Sequence, residues 1–207
     1  LRFNYIYERN ISLGYFAIPF TIFCVFMFFN ALNYSDGKNG ICISYSIFLM
    51  IFLSLINSDS DNDFFNHFII LSLLILLIYN LNNKLFLGNS GVNFISIFLS
   101  FLIIKIYNFD KNVLFCDEIF LLMLIPGMDA ARVTILRIYK KISPVSPDRN
   151  HFHHYLSKFI NNNYIWIIYL FLSSLPIIFL YISSNFLIAV FIPIIIYTLL
   201  IFKSFNN

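Results

Sequence analysis

The fold class this chain predicts is an all-α, polytopic membrane helix bundle, and three observations predict it. The 207 residues are 60% hydrophobic and only 11% charged, with mean hydropathy +0.83, whereas soluble domains run at about 45–50% apolar and about 25% charged. The apolar residues lie in long continuous runs rather than in alternation, which selects helices over barrel strands. In lipid, only helices and closed barrels satisfy every backbone N–H and C=O.

The elements follow in order. Crossing the hydrocarbon core takes roughly 20 apolar residues. Seven stretches qualify as spans: about 14–32, 41–56, 68–81, 92–107, 113–128, 164–183 and 186–202. No repeat divides them, so residues 1–207 read as one transmembrane domain. The chain starts at Leu1, and residues 1–13 lack the charged, apolar and cleavage regions of a signal peptide. The expectation is the C-terminal part of a longer protein. Cys24, Cys42 and Cys116 sit in or beside apolar runs without metal-site spacing, and are expected as buried free thiols. With a net charge of only +3, a nucleic-acid partner is not expected.

Lys and Arg set the orientation. Residues 57–65 and 183–185 carry neither, whereas 132–158 carries Arg132, Arg137, Lys140, Lys141, Arg149 and Lys158. Alternating spans put Lys38, Lys84 and Lys203 on that same side and Lys105 and Lys111 on the other. Connectors of about 33–40, 82–91 and 132–163 are therefore expected in the cytoplasm. The acidic segment at 58–63 falls outside and reads as a solvated loop.

The chemistry-bearing residues concentrate in those three connectors. In N-A-L-N-Y-S-D-G-K-N-G, Asn30, Asn33 and Asp36 recur every three residues at a helix end and can share one face. Gly37 and Gly40 allow close backbone approach, although an ordinary helix cap would use the same residues. Around Lys84, the run from Asn80 to Gly91 ends in G-N-S-G before an apolar helix. Such a turn can offer N–H groups to an anion, or simply cap the helix. In S-P-V-S-P-D-R-N-H-F-H-H-Y-L, Asp148, Arg149, His151, His153 and His154 fall within seven positions. Arg can grip phosphate and His can donate to it or pass protons; the alternative is a basic strip drawn to anionic lipid. Asp129 and Arg132 lie three apart at a span end, either a functional pair or a local helix pair.

Taken in order, these motifs resemble the polyprenyl-phosphate N-acetylhexosamine-1-phosphate transferases, which are polytopic inner-membrane enzymes of envelope glycan synthesis. Asn30, Asn33, Asp36 and Gly37 match the first motif. Asn80, Lys84, Phe86, Gly88, Ser90 and Gly91 match the second, and Pro126, Asp129 and Arg132 the third. Ser143, Pro144, Pro147, Asp148, Arg149, His151, His153, His154 and Leu156 match the last, the most specific of the four. The HxHH form is similar to the branch that starts O-antigen, enterobacterial common antigen or teichoic acid linkers. The resemblance runs from about residue 14 onward. Asn39 and Asn89 stand where the family pattern has aspartate. The family's paired aspartates, D-D-x-x-D, belong upstream of Leu1.

The resemblance implies transfer of a sugar-1-phosphate from a UDP-N-acetylhexosamine to a polyprenyl (undecaprenyl) phosphate, with release of UMP, at the bacterial inner membrane. It implies Mg²⁺, with Mn²⁺ as a substitute, held by Asp36 and Asn89. Asp36, His151, His153 and His154 would act in catalysis, and Asn30, Asn33, Asn80, Lys84 and Arg149 would bind substrate. A homodimer is left open. Two rivals remain at this point: a truncated or degenerate non-catalytic homologue, favoured by Asn39 and Asn89, and a membrane transporter, disfavoured because no ionisable residue sits mid-span beside Pro176 or Pro193.

Overall fold

The computed structural model describes residues 1–5, 10–57, 63–109, 113–141, 143 and 150–205. Eight α-helices are described: α1 Ala17–Ser35, α2 Ile41–Ile56, α3 Asp63–Leu81, α4 Gly88–Phe109, α5 Cys116–Tyr139, α6 Phe152–Leu156, α7 Ile165–Ser183 and α8 Phe186–Phe205. Among the described residues there is no strand beyond one isolated bridge, Arg2 to Asn10. The all-α membrane bundle is therefore observed. Six helices are long and apolar enough to span a bilayer, and α2 is a shorter apolar helix.

The helices expose what lipid should cover. Ile18, Ile22, Phe23 and Phe26 on α1, Phe68, Leu71 and Ile78 on α3, and Phe191, Ile195 and Leu199 on α8 all point outward. An outward apolar face is stable only against hydrocarbon. Helix α2 is the opposite case. Eleven of its 16 residues are buried, because α1, α3, α4 and α7 pack around it. A short helix can therefore serve as the axis of the bundle.

Pro126 shows how the interior repairs its own defects. Proline has no N–H, so within α5 it leaves the carbonyl of Leu122, four residues back, without its helical donor. The fully buried Tyr45 of α2 donates its hydroxyl to that carbonyl at 2.5 Å. Buried Pro126 thus costs no orphaned acceptor.

Two helix boundaries differ from the sequence expectation in ways that matter. Helix α5 continues through Tyr139, so Arg132 and Arg137 stand on a helix rather than in a connector. Helix α4 starts at Gly88, so G-N-S-G is its first turn. Both shifts arise because charged and glycine-containing turns at a membrane edge can remain helical once neighbouring elements supply partners. The acidic segment falls largely outside the described residues, at 58–62.

One end of the bundle gathers the C-termini of α1, α3, α5 and α8 and the N-termini of α2, α4 and α7. Contacts stitch it together: Asn39 to Asn83, Lys38 to Asn162 and Lys158 to the Ser204 carbonyl. The other end carries the N-terminal strip, whose Asn4 and Tyr5 amides donate to Asp117 at the start of α5. All three motif-bearing connectors meet at the first end.

Candidate functional site

Helix α1 delivers Asn30, Asn33 and Asp36 to three different environments. Asn30 donates back to the Phe26 carbonyl of its own helix at 2.8 Å. Asn33 donates to Asn93 Oδ1 on α4 at 2.7 Å, one helical turn from Asn89. Asp36 caps α1, half-buried, and among the described residues no hydrogen bond or cation reaches its carboxylate. Burial pushes its carboxyl from the usual 3.8 up to about 6. It is a carboxylate paying desolvation with nothing yet to offset it.

The second connector is braced against the first. Gly40 takes φ +84° and donates its N–H to Asn80 Oδ1 at 2.6 Å. The other half of the Asn80 amide donates to the Leu85 carbonyl at 2.9 Å. Both ends of the buried Asn80 side chain are therefore occupied in holding two turns together. Lys84, Asn89 and Ser90 are exposed on the same rim. Among the described residues no hydrogen bond joins Asn89 to Asp36.

The histidine turn is seated from below. Phe152 and Leu156, one turn apart on α6, are fully buried in a cluster with Ile41, Ile125, Ile165 and Tyr169. The Phe152 N–H donates to both Asp129 oxygens, each at 3.1 Å. Asp129 is 4% exposed. It also receives Arg132 Nη2 at 2.6 Å and the Tyr197 hydroxyl at 2.9 Å. Arg132 Nε donates to the same Tyr197 oxygen at 2.9 Å and Arg132 Nη2 to the Asn150 carbonyl. Buried Asp129 thus has both oxygens hydrogen-bonded and a part-buried cation beside it, the condition under which a buried charge is tolerated.

That seat aims His153 at the first connector. A Cβ added to Gly37 would lie 2.1 Å from His153 Nε2, so only glycine lets the turn lie against the imidazole. His153 is 1% exposed, and neither ring nitrogen has a hydrogen-bond partner among the described residues. Burial, followed by the neighbouring His154 and His151, depresses its pKa to about 3. The His154 ring lies 4.2 Å from it and the His151 ring 5.7 Å, nearly parallel. Among the described residues a carboxylate without a partner, Asp36, and an imidazole without a partner, His153, thus lie on adjoining turns.

Several sequence-predicted residues stand elsewhere. Arg149, with Pro144, Pro147 and Asp148, lies outside the described residues. Among the described residues no group of three His, Cys, Asp or Glu side chains could hold a metal. Among the described residues Asp36 is a half-buried carboxylate without a partner on this rim, a hard oxygen donor of the type that binds Mg²⁺ together with substrate phosphates. Sequence reasoning missed Tyr34, Tyr45 and Tyr197. Tyr197 sits inside an apolar span with no charged residue within five positions, and nothing local marks it.

A family model described as "Glycosyl transferase family 4" matches residues 2–107, half of the chain. The chain belongs to glycosyl transferase family 4. The motif resemblance is thereby borne out at family level. A Bacillus subtilis protein named "Probable undecaprenyl-phosphate N-acetylglucosaminyl 1-phosphate transferase" is 29% identical over 157 residues, 73% of this chain and 43% of its own length. An Escherichia coli protein named "Undecaprenyl-phosphate alpha-N-acetylglucosaminyl 1-phosphate transferase" is 26% identical over 156 residues, 70% and 42% of the two chains. A Yersinia pestis protein of the same name is 25% identical over 156 residues. The chain therefore spans less than half the length of these curated relatives. No solved structure matches it.

Proposed function

We propose that this glycosyl transferase family 4 chain carries part of the active site of an undecaprenyl-phosphate N-acetylhexosamine-1-phosphate transferase. Its motif rim would face the cytoplasm of a bacterial inner membrane. The observation that carries the reading is the contact between Gly37 and His153. It joins the first and last motifs, over 100 residues apart in sequence, beside a carboxylate without a partner among the described residues.

In the proposed reaction, a phosphate oxygen of the polyprenyl phosphate attacks the sugar-bearing phosphorus of a UDP-N-acetylhexosamine. A new P–O–P bond forms. The bond between that phosphorus and the oxygen bridging to the uridylyl phosphate breaks, and UMP leaves with the bridging oxygen. Two anions must meet, so catalysis is largely positioning and charge stabilisation. Mg²⁺, or Mn²⁺, held by Asp36 with support from Asn89, would supply neutralising charge at the phosphates. Asp36, its pKa near the working range, is suited to holding either a cation or a proton. His153, kept neutral, donates a hydrogen bond to phosphate or sugar and adds no charge. Lys84, exposed on the rim, supplies a long-range cation, and Arg149 is assigned to phosphate on its residue type. Asn33 and Asn80 hold the pocket wall through the contacts already described, and His154 packs beside His153.

The test is UMP release from UDP-N-acetylglucosamine, with undecaprenyl phosphate and Mg²⁺, by the full-length protein and by its His153→Ala variant. Release that depends on His153 supports the reading; no release, or release indifferent to His153, overturns it. One observation favours a second reading, a non-catalytic family member: Asn39 and Asn89 supply neutral amides where the family pattern has carboxylates. Donor binding without turnover in the same assay would select it.

A further inference from the structure

Three side chains that no motif joins surround His151. Arg137 of α5, 3% exposed, lies with its guanidinium carbon 5.1 Å above the ring of Tyr34 of α1 and donates Nη1 to the Tyr34 hydroxyl at 3.2 Å. Its Nη2 stands 3.4 Å from His151 Nε2. The Tyr34 ring also packs on the imidazole, centroids 4.8 Å apart. On the opposite edge of the imidazole, Nδ1 lies 3.5 Å from Asp129 Oδ2.

Guanidinium has donors and no acceptor. A nitrogen facing it must therefore present a lone pair, so Nε2 of His151 carries no proton. A doubly protonated ring would also set a like charge against Arg137, while the charge of Asp129 is already matched by Arg132. The ring proton then sits on Nδ1, on the side of the Asp129 carboxylate. We propose that Arg137 and Tyr34 are positioning residues that lock His151 as the neutral Nδ1–H tautomer, fixing the turn that presents His153 to Gly37.

This divides the labour within the histidine motif. His151, which the motif alone would group with the catalytic residues, is a spacer whose Nδ1 faces the Asp129 carboxylate. His153, parallel to it and 5.7 Å away, is the ring with a hydrogen-bond partner at neither nitrogen among the described residues. Among the described residues, the charged and titratable groups around His151 are Tyr34 from α1, Asp129, Arg132 and Arg137 from α5, His153 and His154 from α6, and Tyr197 from α8. The importance for turnover rests on the transferase reading, but the tautomer does not.

The experiment is side-chain ¹⁵N NMR of the ¹⁵N-histidine-labelled protein in lipid nanodiscs, with His151 assigned by His151→Gln. The expected signature is protonated Nδ1 and bare Nε2 at neutral pH. Arg137→Gln should release it to a mixture of the two tautomers, and Arg137→Lys should restore the bare Nε2. An Nε2–H tautomer or an imidazolium at neutral pH in the unmutated protein overturns the proposal, even if Arg137→Gln fails to fold. So does a signature that Arg137→Gln leaves unchanged. In the full-length enzyme, Arg137→Gln should cut kcat by about 10-fold with rescue by Arg137→Lys. Loss of all turnover in the parent would sink the transferase reading while leaving the NMR result standing.

Discussion

The two ends of the bundle both bury acidic side chains, and they treat them differently. At the strip end, Asp117 is fully buried and accepts the Asn4 and Tyr5 amides at 3.0 and 2.6 Å. Glu118, its neighbour, accepts the Phe115 amide at 2.9 Å and the Tyr181 hydroxyl at 2.8 Å. Every partner is a backbone amide or a tyrosine, so the carboxylates tie the N-terminal strip to α5 and α7. At the motif end, Asp129 is equally well served, but Asp36 and His153 next to it are left open. A buried polar group without a partner costs roughly 1–3 kcal/mol. The strip-end carboxylates avoid that cost. At the motif end buried His153 bears it, and half-buried Asp36 on the adjoining turn bears part of it, the pattern expected where a ligand completes the hydrogen bonding.

The largest expected effect contrasts the two saturated carboxylates. Asp129→Ala leaves the part-buried Arg132 guanidinium, the Tyr197 hydroxyl and the Phe152 amide without their acceptor and should cost about 3–5 kcal/mol, whereas Asp117→Ala leaves only neutral donors behind and should cost about 1–3 kcal/mol. Reversible unfolding in detergent micelles measures both, and equal losses would erase the distinction. Next comes chemistry. His153→Ala should lower UMP release by the full-length enzyme about 100-fold or more, within the range for losing a positioned proton donor. Glu118→Gln, at the far end, should stay within a few-fold of the parent. A matching loss in Glu118→Gln would mean that activity merely follows stability.

A smaller effect appears in the pH dependence of stability, and the two open groups pull in opposite directions. Asp36, with its folded pKa raised to about 6 from the usual 3.8, binds its proton more tightly when folded. Its contribution is present at acid pH and is lost as pH rises through about 6. His153, with its folded pKa lowered to about 3 from the usual 6.5, contributes at neutral pH and loses that contribution as pH falls. Asp36→Asn should therefore leave melting temperatures rising with pH between about 4 and 6, and His153→Gln should leave them falling. Unchanged slopes would show that neither group is desolvated. Finally, cysteines placed at Ser90 and Asn4 should divide by side. An impermeant thiol reagent applied outside intact cells should label the Asn4 position only, and labelling at Ser90 would break the common cytoplasmic rim.

How much of this was legible in the sequence depends on how local the cause is. The Asn80 amide counts as a substrate ligand by motif, and what the structure shows of it is a brace between Gly40 and Leu85. Asn30 shares the three-residue spacing of Asn33 and Asp36 but turns back on its own helix. Spacing says which face a residue occupies, and the neighbour on that face decides its use. Tyr45 illustrates the reverse: Pro126 announced a defect in α5, but its remedy came from a helix some 80 residues earlier.

By itself the sequence determined that the chain is a bundle of membrane helices, about where each span lies, and which family it belongs to. It can do so because lipid offers backbone groups no partner, so continuous apolar length alone dictates the helix. Only the tertiary structure decided that His153 lies on Gly37, that Tyr197 completes the Asp129–Arg132 pair, and that Arg137 and Tyr34 bracket His151. Those contacts join residues far apart in the chain, and they exist only where helices pack closely enough to exclude water and lipid alike.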